Sequence, residues 1–142
     1  MALLEGFPAC QIVSDHNQRV IRSDKDLTCY VADSDPTQES QQWQLVFYPD
    51  FSSGQGFALA TQIGTQTFAL SATPNITYPL LTPFKWESSW IWQREDGIAP
   101  VRTNDWCLTM EGPGPWPAGA RIQLYGWRAL SNQRWSIRTI PQ

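Results

Sequence analysis

The stretch Gln133-Arg134-Trp135-Ser136-Ile137 occurs in two earlier versions along the chain. These are Gln41-Gln42-Trp43-Gln44-Leu45 and, less faithfully, Ser88-Ser89-Trp90-Ile91-Trp92. The central tryptophans recur at intervals of about 46 residues, and three such intervals account for nearly the whole chain. The sequence therefore predicts an internal threefold repeat.

A second pair of matching segments indicates where each repeat begins and ends. Phe84-Lys85-Trp86 matches Tyr125-Gly126-Trp127, and each precedes its closing tryptophan by a short loop. We therefore expect a single domain, residues 1–142, made of repeats 1–48, 49–95 and 96–142. Between frequent Pro, Gly, Ser, Asn and Asp residues, the chain alternates in polarity or is rich in β-branched and aromatic residues, as is typical of short strands. The predicted strands are Cys10–Ser14, Arg19–Arg22, Thr28–Ala32, Trp43–Tyr48, Phe57–Thr61, Thr67–Ser71, Trp90–Arg94, Trp106–Met110, Arg121–Tyr125 and Trp135–Thr139.

Burial explains why three such units would associate. A unit of about four short strands cannot cover its own apolar face, whereas three units around a pseudo-threefold axis enclose one core. The chain has 8 tryptophans, and such large rings need either a repeated core role or a binding role. We expect Trp43, Trp90 and Trp135 to form the repeated core, with each Gln or Ser partner held by backbone hydrogen bonds in the preceding turn.

The charge and hydropathy of the chain argue against nucleic-acid and membrane partners. With 10 basic and 13 acidic residues, the net charge is −3, and neither sign forms the basic stripe that nucleic acids or anionic membranes require. No apolar run reaches the roughly 18 residues of a membrane span. The N-terminal Met1-Ala2-Leu3-Leu4-Glu5 does not resemble a secretory signal, so we expect a cytoplasmic protein, or one exported without a signal peptide.

The sequence contains no pattern typical of catalysis, metal binding or cofactor binding. His16, the single histidine, lies in a turn-like segment, and Cys10, Cys29 and Cys107 are far apart in sequence. One Cys10–Cys29 disulfide is conceivable, but three free thiols are favoured in a reducing compartment. Acidic pairs lie in polar segments rather than a cleft. We therefore expect a non-enzymatic protein without metal or cofactor.

The last third of the chain resembles the ricin B-chain-like β-trefoil lectins. The matching segments are Trp106-Cys107-Leu108-Thr109-Met110, Gly119-Ala120-Arg121-Ile122-Gln123-Leu124-Tyr125 and Ser131-Asn132-Gln133-Arg134-Trp135. The resemblance implies an all-β β-trefoil fold, with three repeats of about four short strands, and binding of glycans of the galactose, N-acetylgalactosamine or mannose type. In lacking a signal-like N-terminus, the chain resembles the cytosolic lectins of fungi.

The resemblance also implies a sugar site in the third repeat. Tyr125 would stack on the sugar ring, Gln123 and Asn132 would bond its hydroxyls, and Gln133 would orient them. Thr109 stands where the family has an aspartate that grips two hydroxyls, so Glu111 or Asp105 would take over that role, or the site would be altered or inactive. Trp116 would form a second wall. The competing interpretation is that Gln123 and Asn132 only satisfy turn backbone.

The other repeats carry less complete sets. In the first repeat Asp24, Tyr30 and Gln41, with Asp33 nearby, could form a second site of the same kind. In the middle repeat Ser71, Thr82 and Phe84 fall at the matching places, and we expect no site there. A single shallow site binds weakly, which would favour a homo-oligomer or attachment to another protein subunit.

Two other functions remain open at this stage. One is a β-trefoil protein-binding module, either a protease inhibitor or an accessory subunit of an enzyme, with degenerate sugar sites. The missing aspartate and the proline-rich residues 112–117 would suit that role. The other is the cell-binding part of a toxin, although we expect a single domain here, without a second one to carry the toxic activity.

Overall fold

The computed structural model describes residues 7–47, 56–72, 77–85, 92–94, 101–103 and 105–141. Within them the chain is built from short strands, with 3₁₀ turns at Glu39–Gln41 and Ser131–Gln133. The strands are β1 Cys10–Ser14, β2 Val20–Ser23, β3 Cys29–Ala32, β4 Gln44–Val46, β5 Ala58–Ile63, β6 Gln66–Ser71, β7 Leu80–Pro83, β8 Gln93–Arg94, β9 Val101–Thr103, β10 Trp106–Met110, β11 Ile122–Gly126 and β12 Trp135–Thr139.

The strands form three antiparallel sheets with the same internal order. These sheets are β12-β1-β2-β3, β4-β5-β6-β7 and β8-β9-β10-β11. Each sheet joins the last strand of one repeat to the first three strands of the next. Bridges from Cys10 to Trp43 and from Phe57 to Trp92 connect the first and last strands within the first two repeats. This arrangement is a β-trefoil, with three four-stranded repeats around a pseudo-threefold axis.

Three buried tryptophans make the same hydrogen bond, one in each repeat. Each indole Nε1 donates to a backbone carbonyl on the second strand of its own repeat: Trp43 to Ile21 at 3.0 Å, Trp92 to Leu70 at 3.0 Å and Trp135 to Leu108 at 2.9 Å. The three acceptor residues also share a place in their hairpins, because they pair with Val31, Leu81 and Leu124 respectively. The pseudo-threefold relation therefore holds residue by residue.

In the middle repeat the buried tryptophan is Trp92, whereas the sequence pattern predicts Trp90. Trp90 lies outside the described residues, and Trp92 is fully buried and bridged to Phe57 as Trp43 is bridged to Cys10. Residues two positions apart point to the same side of an extended strand. Sequence periodicity alone therefore does not separate these two candidates, and the bridge to Phe57 identifies Trp92 as the equivalent of Trp43.

Contacts between hairpins also follow the threefold relation. The amide of the third strand in each repeat donates to a carbonyl in the hairpin turn of another repeat: Val31 to Ala120 at 2.7 Å, Leu81 to Leu27 at 2.8 Å and Leu124 to Thr77 at 2.7 Å. Each hairpin therefore completes the hydrogen bonding of its neighbour, and the three close one end of the fold together.

Every predicted strand overlaps a strand of the structure, but β7 and β9 were not predicted. β7 ends in Pro83 and lies at the edge of its sheet, which is where proline is tolerated because no outward amide has to be bonded there. β9 is a short strand, Val101–Thr103, recognisable mainly by its pairing with β8 and β10.

Three further observations concern the cysteine thiols, possible metal sites and possible membrane-spanning helices. Cys10, Cys29 and Cys107 are buried and form no disulfide bond with one another, and burial raises the pKa of the Cys10 thiol to about 12. Among the described residues, no cluster of His, Cys, Asp and Glu is suited to a metal ion. In that same part of the chain, no helix has the length and apolar character needed to cross a membrane.

Candidate functional site

The β10–β11 hairpin presents two faces with different functions. Leu108, Met110, Ile122 and Leu124 point into the main hydrophobic core. Thr109 pairs with Gln123 and Cys107 with Tyr125, and side chains opposite one another in an antiparallel pair share a face. The hairpin therefore brings three predicted site residues, Thr109, Gln123 and Tyr125, onto its outer face.

Gln133 connects the loop before β12 to this outer face. Its Oε1 accepts hydrogen bonds from the backbone amides of Arg128 (2.9 Å) and Leu130 (3.3 Å). Its Nε2 donates to the carbonyl of Gly126 at 2.8 Å and to Oγ1 of Thr109 at 3.3 Å. Gln133 is completely buried and all these bonds are internal, so it fixes the loop before β12 against the outer face of the hairpin.

Gln41 has the equivalent role in the first repeat. Its Oε1 accepts from the amide of Asp35 at 2.7 Å, and its Nε2 donates to the carbonyl of Asp33 at 2.9 Å. For Gln41 and Gln133, the predicted hydrogen bonding to the preceding turn is therefore present. Both glutamines are buried, so their amide groups face the protein interior and not the solvent.

Thr109, Asn132 and Glu111 are largely committed to internal contacts. Thr109 is buried and donates to the carbonyl of Cys107 at 3.1 Å, in addition to accepting from Gln133. Nδ2 of Asn132 donates to the carbonyl of Met110 at 2.9 Å. For Asn132 this is the backbone role that was weighed against sugar binding, although its amide oxygen has no partner among the described residues.

Glu111 accepts a hydrogen bond from the hydroxyl of Tyr78, which comes from the middle repeat. That hydrogen bond, together with desolvation and the nearby carboxylate charge, raises the pKa of Tyr78. The guanidinium of Arg121 lies 3.6 Å from the centroid of the Tyr78 ring. Glu111 is therefore part of a contact between repeats, which limits its ability to replace the family aspartate.

Tyr125 and Gln123 are the predicted residues that remain accessible. The Tyr125 side chain is 46% exposed. Gln123 is half-buried, and its side chain has no hydrogen-bond partner in the described part of the chain. An exposed ring beside an unpaired amide is a combination that suits a sugar.

A pocket of about 480 Å³ lies at the end of the same hairpin, lined by Asp105, Trp106, Gly126, Trp127 and Arg128. Asp105 was one of two carboxylates expected to substitute for the family aspartate. Sequence reasoning treated Trp127 only as a marker of the repeat and overlooked Trp106 and Arg128. The sequence did contain a clue to this pocket, because the last repeat has more tryptophans than its one buried core position requires.

Trp116 does not form a wall of this site. Its indole packs edge-on against His16, with ring centroids 5.2 Å apart, and its carbonyl accepts a hydrogen bond from Nδ2 of Asn17 at 3.3 Å. The loop of residues 112–117 therefore docks on the β1–β2 turn of the first repeat. Long-range docking of this kind leaves no local sequence signal.

The second predicted set, in the first repeat, does not reproduce the third-repeat arrangement. By hairpin register, Tyr30 takes the place of Gln123, and Arg22 takes that of Thr109. Arg22 forms an ion pair with Asp24 at 2.8 Å and lies 4.8 Å from the centroid of the Tyr30 ring. Since Gln41 is buried, Asp24, Tyr30 and Gln41 do not converge on one ligand position.

The remaining first- and middle-repeat residues have local partners. Asp33 pairs with Arg19 at 3.0 Å. In the middle repeat, Ser71 corresponds to Thr109 and donates to the carbonyl of Leu80 at 2.9 Å. Thr82 corresponds to Tyr125, so no aromatic ring stands at that place, and Phe84 packs against a small apolar cluster.

No family model and no curated protein matches the chain. Among solved structures, it is similar to a mosquitocidal holotoxin, with a TM-score of 0.76 and 14% identity, over 97% of this chain but 18% of the toxin chain. It is also similar to the C-half of an earthworm R-type lectin in complex with GalNAc, with a TM-score of 0.67 and 17% identity, over 94% of this chain and 99% of that one. The chain therefore spans less than a fifth of the toxin and has the β-trefoil fold of an R-type lectin.

Proposed function

We propose that the chain is a non-catalytic carbohydrate-binding lectin with its sugar site in the third repeat, on the outer face of the β10–β11 hairpin. The observation that carries this proposal is that the exposed Tyr125 ring and the Gln123 amide lie on the same face of the hairpin. The Gln123 amide has no hydrogen-bond partner among the described residues. A sugar offers a patch of C–H bonds to the ring and hydroxyls to the amide. The fold shared with an R-type lectin supports the same function.

The buried polar residues of the third repeat would preorganise this site. Gln133 fixes the backbone of the loop before β12, and the hydrogen bond from Asn132 to Met110 fixes the direction of the Asn132 amide. A ligand then meets groups that are already ordered, and this reduces the entropy lost on binding. Thr109 contributes by accepting from Gln133 and not by touching the sugar.

A site this shallow is expected to bind a monosaccharide weakly. A millimolar dissociation constant corresponds to about −4 kcal/mol. Useful retention on a glycan surface would then need several sites presented together. We therefore include self-association, or attachment to a second protein subunit, in the proposal.

The test is binding to immobilised galactose-, N-acetylgalactosamine- and mannose-type glycans, followed by titration with the best ligand. GalNAc should be tried first, because the earthworm lectin was solved with it. We expect Tyr125→Ala and Gln123→Ala each to weaken binding by roughly tenfold, as loss of a stacked ring or a hydroxyl contact would. Phe47→Ala is the control, since Phe47 is also exposed but lies in the first repeat.

Two results would count against the lectin proposal. One is the absence of binding to all three glycan types at millimolar concentration. The other is binding that Tyr125→Ala and Gln123→Ala leave unchanged, which would place the sugar elsewhere on the protein.

The second candidate function is a protein-binding module acting as a protease inhibitor or an accessory subunit. The observation that favours it is the loop of residues 112–117, which is mostly exposed and is held on the first repeat by Asn17 and Arg19. Fixed exposed loops are well suited to protein recognition. Inhibition of a serine or cysteine protease that is lost when this loop is replaced by a short glycine-serine linker would support this candidate.

A further inference from the structure

The pocket formed by Asp105, Trp106, Gly126, Trp127 and Arg128 lies next to the proposed sugar site but is not part of it. The Arg128 guanidinium carbon lies 6.0 Å from the centroid of the Tyr125 ring. Arg128 therefore borders both the Tyr125 ring and the pocket. A ligand that stacks on Tyr125 could reach the pocket with its substituent or with its next sugar residue.

The two charged side chains of this pocket do not form an ion pair with each other. The ion pairs among the described residues are Arg19–Asp33 and Arg22–Asp24, so Asp105 and Arg128 line one pocket without coming within 4.0 Å of each other. In the described part of the chain, the Arg128 side chain makes one hydrogen bond, to the carbonyl of Trp127 at 3.2 Å. Most of its donors therefore remain available to a ligand.

The guanidinium of Arg128 lies close to the backbone of the hairpin end. It lies over Gly126, where an added Cβ would be only 3.2 Å from Nη1 of Arg128. The backbone amide of Arg128 donates to the buried Gln133 at 2.9 Å, which anchors the residue at its base. A donor fork held in this way suits a planar or tetrahedral anion better than a freely moving lysine would.

A second arginine lies beside one wall of this pocket. The Arg134 guanidinium carbon lies 5.4 Å from the centroid of the Trp127 ring, and Trp127 lines the pocket together with Arg128.

The pocket also offers flat apolar surface of the kind that carbohydrate rings need. Trp106 is 51% exposed, and Trp127 lines the same pocket. Its volume of about 480 Å³ lies within the common range of ligand pockets, roughly 300–1,000 Å³. An indole face, a carboxylate that accepts from hydroxyls and a guanidinium that binds an anion are therefore all present.

We propose that this pocket selects anionic glycans, with a sugar ring against the indoles, its hydroxyls donating to Asp105 and its sulfate or carboxylate bound by Arg128. This inference rests on the proposed lectin function and specifies its ligand class. Binding is non-covalent, and the shared chemistry of the ligand is a saccharide that bears one fixed negative charge.

The experiment compares matched glycans that differ only in the anionic group. Each neutral galactose-, N-acetylgalactosamine- and mannose-type glycan is tested beside its sulfated and its sialylated or uronate-bearing form, at two salt concentrations. We expect the acidic forms to bind roughly tenfold more tightly, as a charge-assisted contact would provide, and to lose that advantage at high salt. A preference restricted to sulfate or to carboxylate would identify the natural anion.

Variants assign the preference to the pocket. Arg128→Gln keeps a polar side chain but removes the charge, and we expect it to lower the affinity for acidic glycans roughly tenfold while leaving neutral glycans unaffected. Lys25→Gln removes the same charge from an exposed turn in the first repeat and should change neither. Trp106→Leu should weaken acidic-glycan binding while the thermal midpoint of unfolding stays near that of the wild type.

The outcomes separate this inference from the function on which it rests. Equal binding of neutral and acidic glycans, or acidic binding that withstands Arg128→Gln and Trp106→Leu, overturns the anionic pocket and leaves the lectin proposal standing. No binding of any glycan overturns both.

Discussion

Nε2 of Gln133 lies 3.3 Å from Oγ1 of Thr109, so the residue at the position of the family's sugar-gripping aspartate is tied to the loop before β12. Both residues are buried. A neutral hydroxyl at this place can be enclosed at little cost, whereas a carboxylate would need compensation for its desolvation. The Thr109 hydroxyl is therefore an internal group, and under the proposed function the ligand contacts fall to Tyr125, Gln123 and the neighbouring pocket.

Removing the Gln133 side chain should be costly. Gln133→Ala leaves the amides of Arg128 and Leu130 and the carbonyl of Gly126 without their partner, and we expect a loss of about 2–4 kcal/mol in the free energy of unfolding. Urea unfolding followed by tryptophan fluorescence measures this. Gln123→Ala is the matched control, and because Gln123 lacks an internal partner among the described residues, it should cost less than about 0.5 kcal/mol. Equal effects would contradict the structural role of Gln133.

The threefold relation can be tested at the three buried tryptophans. Trp43→Phe, Trp92→Phe and Trp135→Phe each delete an indole hydrogen bond and leave a cavity, so we expect similar losses of about 2–3 kcal/mol. Thermal and urea unfolding of the three variants provides the comparison. A Trp92→Phe variant as stable as the wild type would show that Trp92 is not the core residue of the middle repeat.

Acid should destabilise the protein partly through Asp26. Its pKa is lowered from 3.8 to about 2, first by the hydrogen bond from the Thr28 hydroxyl and then by that from the Tyr30 hydroxyl. Because the folded-state pKa is depressed, this contribution to stability is present above the unfolded pKa near 3.8 and is lost as the pH falls through about 2. The thermal midpoint of Asp26→Asn should therefore fall less steeply than that of the wild type over this range. Parallel curves would argue against the contribution.

The docked loop of residues 112–117 predicts a cost for removing Trp116. Its indole contacts His16 and donates to the carbonyl of Gly112 at 2.6 Å, so Trp116→Ala should lower the free energy of unfolding by about 1–2 kcal/mol. Trp106→Ala removes an equally large ring that is 51% exposed and should cost less. Limited proteolysis should also show faster cleavage in residues 112–117 of the first variant. The reverse order of stabilities would contradict the docking.

The repeat and the polarity of its strands were readable from the sequence because both are local patterns. Recurring tryptophans predicted the threefold architecture, and alternation predicted β1, β10 and β12 at their observed bounds. The outer-face grouping of Thr109, Gln123 and Tyr125 follows from strand periodicity once the hairpin register is known. The pairing of Trp92 with Phe57 and the place of β7 depend on partners distant in sequence, so the sequence did not reveal them.

The sequence by itself determined that this protein has a threefold all-β fold with an aromatic and polar third repeat. The reason is that the alternation of buried and exposed positions along a strand is visible in residues adjacent in sequence. Only the tertiary structure decided which of those polar side chains can meet a ligand. Polar side chains of the kind found in binding sites, those of Gln133, Gln41 and Thr109, form hydrogen bonds within the protein. By contrast, the pocket is lined by Trp106 and Arg128, which their sequence context did not indicate. The physical reason is that accessibility depends on what packs over a residue, and in this fold those neighbours come from distant parts of the chain.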